Sequence, residues 1–568
     1  MIAAARKQRK VLISVFVLFL IAGGIVFLLR YPFASNEQIE YFPDAYSILY
    51  NDEQTEAVDV HKAGEQTYVP FSFVQNQIDS TILYDQASSS VIVTREQAVY
   101  QAPLNDRQFY KDHEARKLAY PAVKTNGETK MIALDWISDV YDLQLKTNQQ
   151  TEVIHLFSDG YERQKGIIKE DVQAVHRKLR EQPTVSSPYY KELETGTTLF
   201  ISGQKDSYYH IVTASGVAGY IPTNAVMQTD TQKISVNNKS NAKQQEVTTF
   251  NEPFHMTWDA IYQPDANPDE VNDLPGVDVF APTWFTLANE QGNVADIASK
   301  RYVKSAHDNG DHVWALFSND FDPDLTTAVI DQYQKRKHMI QQLLAYAETY
   351  NLDGINIDFE NVYQEDGRYV TQFLRELTPL AHDAGLVISV DTTFISASGQ
   401  WSGFYERKEI AEVADYVMVM AYDEHWANAS EAGSVASLPW VENNLQRILD
   451  VIPNEKLVLG APLYTRLWTI DESQNGPPQV SSQSMSMQEA EQWMKEHDVT
   501  KQFDETTGQH YVEHEENGTR YQMWLEDARS IESRVNMMKQ YDLQGLATWS
   551  KGFGQHETFQ NIETFFAE

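Results

Sequence analysis

The sequence predicts a multidomain chain whose C-terminal part is a (β/α)8 TIM barrel, and three observations predict it. From about residue 250, apolar strand-like runs alternate with helical stretches, the mark of a parallel α/β fold. Eight runs can be marked, at 254–262, 277–287, 311–319, 352–360, 386–394, 414–426, 456–468 and 543–552, the strand number of one closed barrel. The fourth, LDGINIDFE, ends in acidic side chains, and C-terminal strand ends carry the chemistry of such barrels. A doubly wound sheet is the competing arrangement, but the chain holds neither GxGxxG nor GxxxxGK[ST].

The stretch 470–540 between runs seven and eight exceeds a normal crossover. It contains a helical pattern at 487–497 and the hairpin sequence QHYVEHEENGTRYQMWLE, turning at Asn517-Gly518. A small inserted α+β subdomain walling one side of the cleft is expected there.

At the other end, Arg6, Lys7, Arg9 and Lys10 precede the uncharged run Val11–Leu29. Such a run suits a bilayer core of about 30 Å, and the basic cluster before it predicts N-in, C-out topology. A cleaved signal peptide is the rival. The run is long for a signal h-region, and no small-x-small cleavage site follows in Arg30–Ser35. Residues 1–35 are therefore read as a cytoplasmic tail and single-pass anchor, with the remainder outside the cell membrane; secretion or spore association is the alternative.

Residues 36–165 hold an internal repeat. YVPFSFVQNQIDSTILYDQASSSVIVT (68–94) aligns without gaps on MIALDWISDVYDLQLKTNQQTEVIHLF (131–157), matching Phe73 with Trp136, Val74 with Ile137, Val91 with Ile154 and Val93 with Leu156. Each copy reads as a short helix and two strands separated by a polar turn. The segment resembles the repeated domain named after the N-terminus of copper amine oxidases, although no His cluster argues for copper. Residues 166–228 resemble a bacterial SH3-like barrel, with short alternating strands and turn glycines at Gly196, Gly203, Gly216 and Gly219. Its Tyr208, Tyr209 and Tyr220 read mainly as core tyrosines. The polar stretch 229–249 reads as a linker, and 250–568 as the catalytic barrel.

Composition narrows the partners. A formal net charge of −36 argues against nucleic acid, whose phosphates need a positive surface. The chain has no cysteine, so disulfides, thiolate metal sites and a cysteine nucleophile are excluded. Aromatic residues reach 12%, a composition compatible with rings stacking on sugars.

In the fourth run, alternation places Asn356, Asp358 and Glu360 on one face and Ile355, Ile357 and Phe359 on the other. Two carboxylates and an amide pointing into a barrel are costly to desolvate, so a site is the expected reason for them. DGINIDFE resembles the DxxDxDxE signature of glycoside hydrolase family 18, the chitinase-like barrels. MAYDEHW (420–426), APLYTRLW (461–468) and Trp549 support the resemblance. WSGFY (401–405) and YDEHW with GSVASLPW point to the branch of spore-cortex-lytic N-acetylglucosaminidases. Asn356 departs from the signature, where chitinases usually carry Asp.

The resemblance implies hydrolysis of β-1,4 bonds in N-acetylglucosamine-containing polymers. Glu360 is the expected acid, protonating the leaving oxygen. Asp358 leaves the same strand face, its α-carbon about 6.6 Å away at about 3.3 Å per residue. It is poorly placed to attack from the far side of the sugar. The resemblance implies that the substrate's own 2-acetamido oxygen is the nucleophile, with Asp358 holding the acetamido N–H, Tyr422 and Asp423 assisting, and net retention. Trp549 is expected as the floor under the sugar, and Asn356, Tyr464 and Trp258 as further substrate-binding positions. No cofactor or metal is implied. Peptidoglycan or spore cortex is the leading substrate, chitin the second, and a non-catalytic wall- or chitin-binding lectin the reading of another class.

Overall fold

The computed structural model describes residues 14–18, 20–23, 33–41, 47–55, 58–236, 247–266, 268, 271, 273–471 and 479–568. They fall into two compact units, one of residues 83–101, 110–116 and 242–568, the other of the remaining residues up to 241.

The first unit is built on a closed ring of eight parallel strands: β1 (Phe254–Asp259), β2 (Val279–Pro282), β3 (His312–Ser318), β4 (Gly354–Asp358), β5 (Val387–Thr393), β6 (Tyr416–Met420), β7 (Leu457–Pro462) and β8 (Gly545–Trp549). Each pairs with the next, and β8 pairs back onto β1 with Phe254 opposite Gly545. The TIM barrel expected from the sequence is thus present.

Alternation along the strands divides two cores. Ile355, Ile357, Ile388, Val390, Val417, Val419, Leu457 and Leu459 face outward into the helix layer. Phe254, Met256, Trp258, Trp314, Leu316, Tyr416 and Met418 fill the interior. Strand β4 adds no apolar side chain to that interior. A Cβ on Gly354 would lie 2.6 Å from the Trp314 ring, so glycine makes room for the indole, and the positions above it are Asn356 and Asp358. The space that β4 leaves is filled by large rings from neighbouring strands.

Between β7 and β8 an antiparallel sheet is inserted, with strands Tyr464–Asp471, Gln479–Ser486, Gln502–Asp504, Gln509–Glu516 and Thr519–Leu525 and one helix, Met487–Glu496. Its hairpin turns at Asn517 and Gly518, with φ of 53° and 79°, the left-handed pair that a two-residue turn requires. The seventh run needs correction: 456–468 is not one strand but β7 followed by the first strand of the insertion. The insertion also ends before the helix Ala528–Gln540, whose Ile531 and Val535 belong to the barrel core.

Residues 83–101 and 110–116 pack within the barrel unit. Leu83–Asp85 pairs with Ser90–Arg95, Ile92 and Val99 contact Tyr333, and the buried Asp85 carboxylate accepts the Tyr333 backbone N–H at 2.9 Å where the helix Tyr333–Tyr350 begins.

In the second unit, Gln66–Pro70 and Thr129–Ala133 pair antiparallel, Val69 opposite Ile132, and each leads into a seven-residue helix, Phe71–Gln77 and Leu134–Val140. The equivalent residues Phe73 and Trp136, Val74 and Ile137 are all buried, which is the repeat expressed as packing. Residues 162–233 form a seven-stranded antiparallel sheet over Ile168, Leu179, Leu199, Ile211 and Ile221. Its last strand, Val226–Lys233, runs into the stretch read as a linker, of which 237–246 lie outside the described residues. The anchor run Val11–Leu29 also lies largely outside them; residues 14–18 and 20–23 are helical. Among the described residues no helix is long and apolar enough to cross a membrane.

Candidate active site

Every side chain of the candidate site leaves a C-terminal strand end or the loop beyond it, as the barrel's architecture dictates. Trp258 lies on β1, Asp358 ends β4, Glu360 follows two residues later, Asp391 lies on β5, Tyr422 and Asp423 follow β6, Tyr464 opens the insertion and Trp549 ends β8. They enclose a cavity of about 300 Å³, at the small end of ligand pockets. The Trp258 and Trp549 rings are 5.9 Å apart and tilted by 59°, forming an aromatic wall. A second cavity of about 580 Å³ shares Glu360, Met420, Tyr422 and Asp423 with the first and adds Phe394, Trp401, Trp426 and Trp440. Glu360 therefore stands where two cavities meet.

The backbone of Glu360 is held tightly. The Asn319 side chain, fully buried at the end of β3, accepts the Glu360 N–H at 3.0 Å and donates to its carbonyl at 2.8 Å. A further bond from Asn319 to Thr326, 2.9 Å, fixes the amide. The Tyr405 hydroxyl donates to the Phe359 carbonyl at 2.9 Å. Residues 359 and 360 are thus clamped from two sides, which orients the carboxyl without using its own oxygens.

The acidic groups lie close together, and among the described residues no Lys, Arg or His donates to the carboxyls of Asp358, Glu360 or Asp391. Asp358 has a buried oxygen, Oδ1, with no partner, and burial raises its carboxyl to about 7. Glu360 is raised well above the ordinary carboxylate range by burial and then by the charges of Asp358 and Asp423. Asp391 is raised by burial and by Asp358, against the lowering effect of its hydrogen bond from Asn356. Like charges in one low-dielectric site cannot all ionise, so protons are retained here at neutral pH. Tyr422 is held protonated, chiefly by burial. Asp423 differs: its Oδ1 accepts the Tyr464 hydroxyl at 2.6 Å and lies 3.7 Å from the Arg466 guanidinium.

Of the residues expected from sequence, Glu360, Asp358, Tyr422, Asp423, Trp549, Tyr464 and Trp258 all line the first cavity. Asn356 does not. It is fully buried and its amide is spent on protein partners, donating to Ser389 at 3.0 Å and Asp391 at 2.9 Å and accepting from Trp258 at 3.1 Å. The expectation that it binds substrate is corrected to a place behind the cavity wall. Asp391 and Asn319 were not singled out from the sequence. Asp391 carries a visible signal, a carboxylate in an otherwise apolar strand, in phase with the inward residues Val387 and Ser389; Asn319 carries none. Among the described residues no group of three or more His, Cys, Asp or Glu could hold a metal ion.

The raised carboxyls have a thermodynamic consequence. A Glu held protonated in the folded state is ionised in the unfolded chain above about pH 4.3. Its contribution is complete below that value and is lost as pH rises toward its folded-state titration, at about 1.4 kcal/mol per pH unit. Glu360→Gln should therefore match the wild type in melting temperature near pH 4 and exceed it increasingly toward pH 8. A difference that stays constant from pH 4 to 8 would contradict the raised acid.

Comparison with known proteins agrees with this geometry. Residues 280–553 match the model of the glycosyl hydrolases family 18, and residues 50–156 that of the copper amine oxidase N-terminal domain. The chain is similar to the protein named uncharacterized glycosylase YvbX of Bacillus subtilis, 28% identical over 43% of this chain and 72% of that one. It is also similar to the cortical fragment-lytic enzymes of Bacillus subtilis and Bacillus anthracis, 26% and 27% identical over 41% of this chain. The match spans 54% of each of those two relatives, about half their length. With the barrel, the acid at its fourth strand and the family model in agreement, the chain carries a glycoside hydrolase family 18 domain and is a glycoside hydrolase.

Proposed function

We infer that the enzyme cleaves the β-1,4 bond following N-acetylglucosamine in peptidoglycan, with spore cortex the leading substrate, by a retaining, substrate-assisted reaction. The observation that carries this reading is the position of Glu360 at the junction of two cavities. A sugar in the smaller one and its neighbour in the larger one put the glycosidic oxygen beside Glu360; the other carboxyl shared by both, Asp423, is tied to the Tyr464 hydroxyl. Glu360 gives its proton to that oxygen. Asp358 leaves the same strand end and so shares a side with the acid. Asp423, in the loop after β6, has Oδ1 engaged by Tyr464 and near Arg466. Neither carboxylate is free to attack the far face of the sugar, which leaves the substrate's acetamido oxygen as nucleophile. Asp358, ionised, stabilises the positive charge that grows on the acetamido nitrogen, and Tyr422 supplies a hydroxyl. Glu360 then takes a proton from water.

The names of the cortical fragment-lytic relatives favour cortex over chitin. The retained and firmly held Glu360 favours an enzyme over a lectin. Mass spectrometry of digests should show products ending in reducing N-acetylglucosamine from cortex and vegetative peptidoglycan, and none from the same polymers after chemical de-N-acetylation. Cleavage of chitin oligomers alone would move the substrate to chitin, and efficient cleavage of de-N-acetylated polymer would overturn the mechanism.

The reading includes an outward-facing anchor. Its support is the charge asymmetry around Val11–Leu29 together with the 46–65% exposure of Val15, Phe16, Val17, Leu18, Leu20 and Ile21 in the described part of that run. The repeat domain and an SH3-like module at 166–228 then serve as a wall-facing stalk. Protease added to intact cells should remove the barrel while a tag placed before Val11 stays protected. A barrel that survives until the cells are lysed would reverse the topology.

A further inference from the structure

Asp391 is a deeply buried acidic group of the cavity that neither the strand-four motif nor the reaction above uses. It is 1% exposed, in a region where an isolated carboxylate is costly, and its contacts are specific. Oδ1 accepts the Asn356 amide at 2.9 Å and Oδ2 accepts the Trp258 indole N–H at 3.2 Å. Asn356 in turn gives its other proton to Ser389 and receives the same indole N–H. Both amide protons of Asn356 are thereby committed, and its orientation follows from the network. The groups facing Asp391 are Asp358 at the end of β4, Glu360 just beyond it and the phenols Tyr405 and Tyr422; among the described residues no cation faces it.

We propose that Asp391 is the positioning carboxylate of this site: bridged by Asn356 and Trp258, it holds a fixed negative charge behind the cavity that keeps the exchangeable protons on Asp358 and Glu360. Donors distinguish the three acids. Two N–H groups point at Asp391 and favour its ionised form, while Asp358 has a buried oxygen with no donor, which favours its neutral form. Burial raises all three acids, so the donors decide among them: the one charge that the cluster carries settles on the strand-five carboxylate before substrate binds, and Glu360 keeps the proton that it must deliver. An acetamido N–H arriving at Asp358 supplies the missing donor and moves that balance toward an ionised Asp358, so substrate itself arms the charge partner. Asn356 has a stated purpose in this arrangement: an acid at 356 would set two carboxylates within hydrogen-bonding distance, whereas the amide lets one charge reside on β5.

This rests on the glycosidase reading, and the experiment separates the two. With wild-type enzyme and a substrate that it cleaves, the pH profile of kcat/KM is measured alongside Asp391→Asn and the double variant Asn356→Asp/Asp391→Asn. Removing the fixed charge should move both limbs of the profile to lower pH by about one unit and lower kcat at neutral pH by about tenfold or more, with KM changed little. Exchanging amide and carboxylate between the two positions should return the limbs toward wild type, because the charge is restored within the same pair. A purely structural Asp391 would lower the yield of active enzyme while leaving the limbs in place. Unshifted limbs in a folded Asp391→Asn, or a double variant whose limbs stay with the single one, overturn the proposal. Melting curves across pH give an independent readout: Asp391→Asn should alter the pH dependence of stability even with no substrate present. A wild-type enzyme that cleaves no N-acetylglucosamine polymer defeats the glycosidase reading instead.

Discussion

Three carboxyl groups, Asp358, Glu360 and Asp391, crowd together at one end of a barrel, and among the described residues no cation donates to any of them; that constraint shapes the rest of the molecule. Charges of one sign cannot gather in a low-dielectric space without taking up protons. The site is therefore a reservoir of protons at a pH where free carboxylic acids have none, which is the condition for an acid catalyst near neutrality. The cluster costs stability, and the surrounding barrel has to supply it. The aromatic interior does so: Trp258, Trp314 and Tyr416 occupy the space that the polar inward face of β4 leaves unfilled.

The same constraint explains how the supporting groups are chosen. Asn319 and Tyr405 hold the chain at 359–360 through backbone atoms, so the Glu360 carboxyl is oriented without a side-chain donor that would lower its affinity for the proton. At the rim, Arg466 of the inserted sheet approaches Asp423. The insertion thus tethers the rim carboxylate Asp423 apart from the three acids within. Beyond Glu360, the exposed rings of Trp401 and Trp426 line the second cavity.

Much of this was legible in the sequence because strand periodicity carries it. The alternation in LDGINIDFE placed Ile355 and Ile357 in the outer core and Asp358 in the cavity, as the structure has them. Asn517-Gly518 foretold its hairpin because only a left-handed pair closes that turn. What failed were features that depend on which strands become neighbours. Asn356 reads as a ligand-facing amide until β5 brings Asp391 against it, and a single chain cannot reveal that pairing. Asn319 looks like an ordinary loop residue until the end of β4 lies beside it. The break between β7 and the insertion falls at Leu463, directly after Pro462, a breaker that the apolar run on either side of it masks, so two strands read as one.

The central claim is that the buried acids leave no carboxylate to attack the sugar, so the substrate supplies its own nucleophile and Glu360 acts first as acid and then as base. The stereochemistry of the first product tests this most directly. Proton NMR of a β-linked N-acetylglucosamine oligomer during the first minutes of hydrolysis, before mutarotation, should show the new reducing end in the β configuration. The α anomer appearing first would mean that water attacks directly, with a second carboxylate as its base, and would contradict the account.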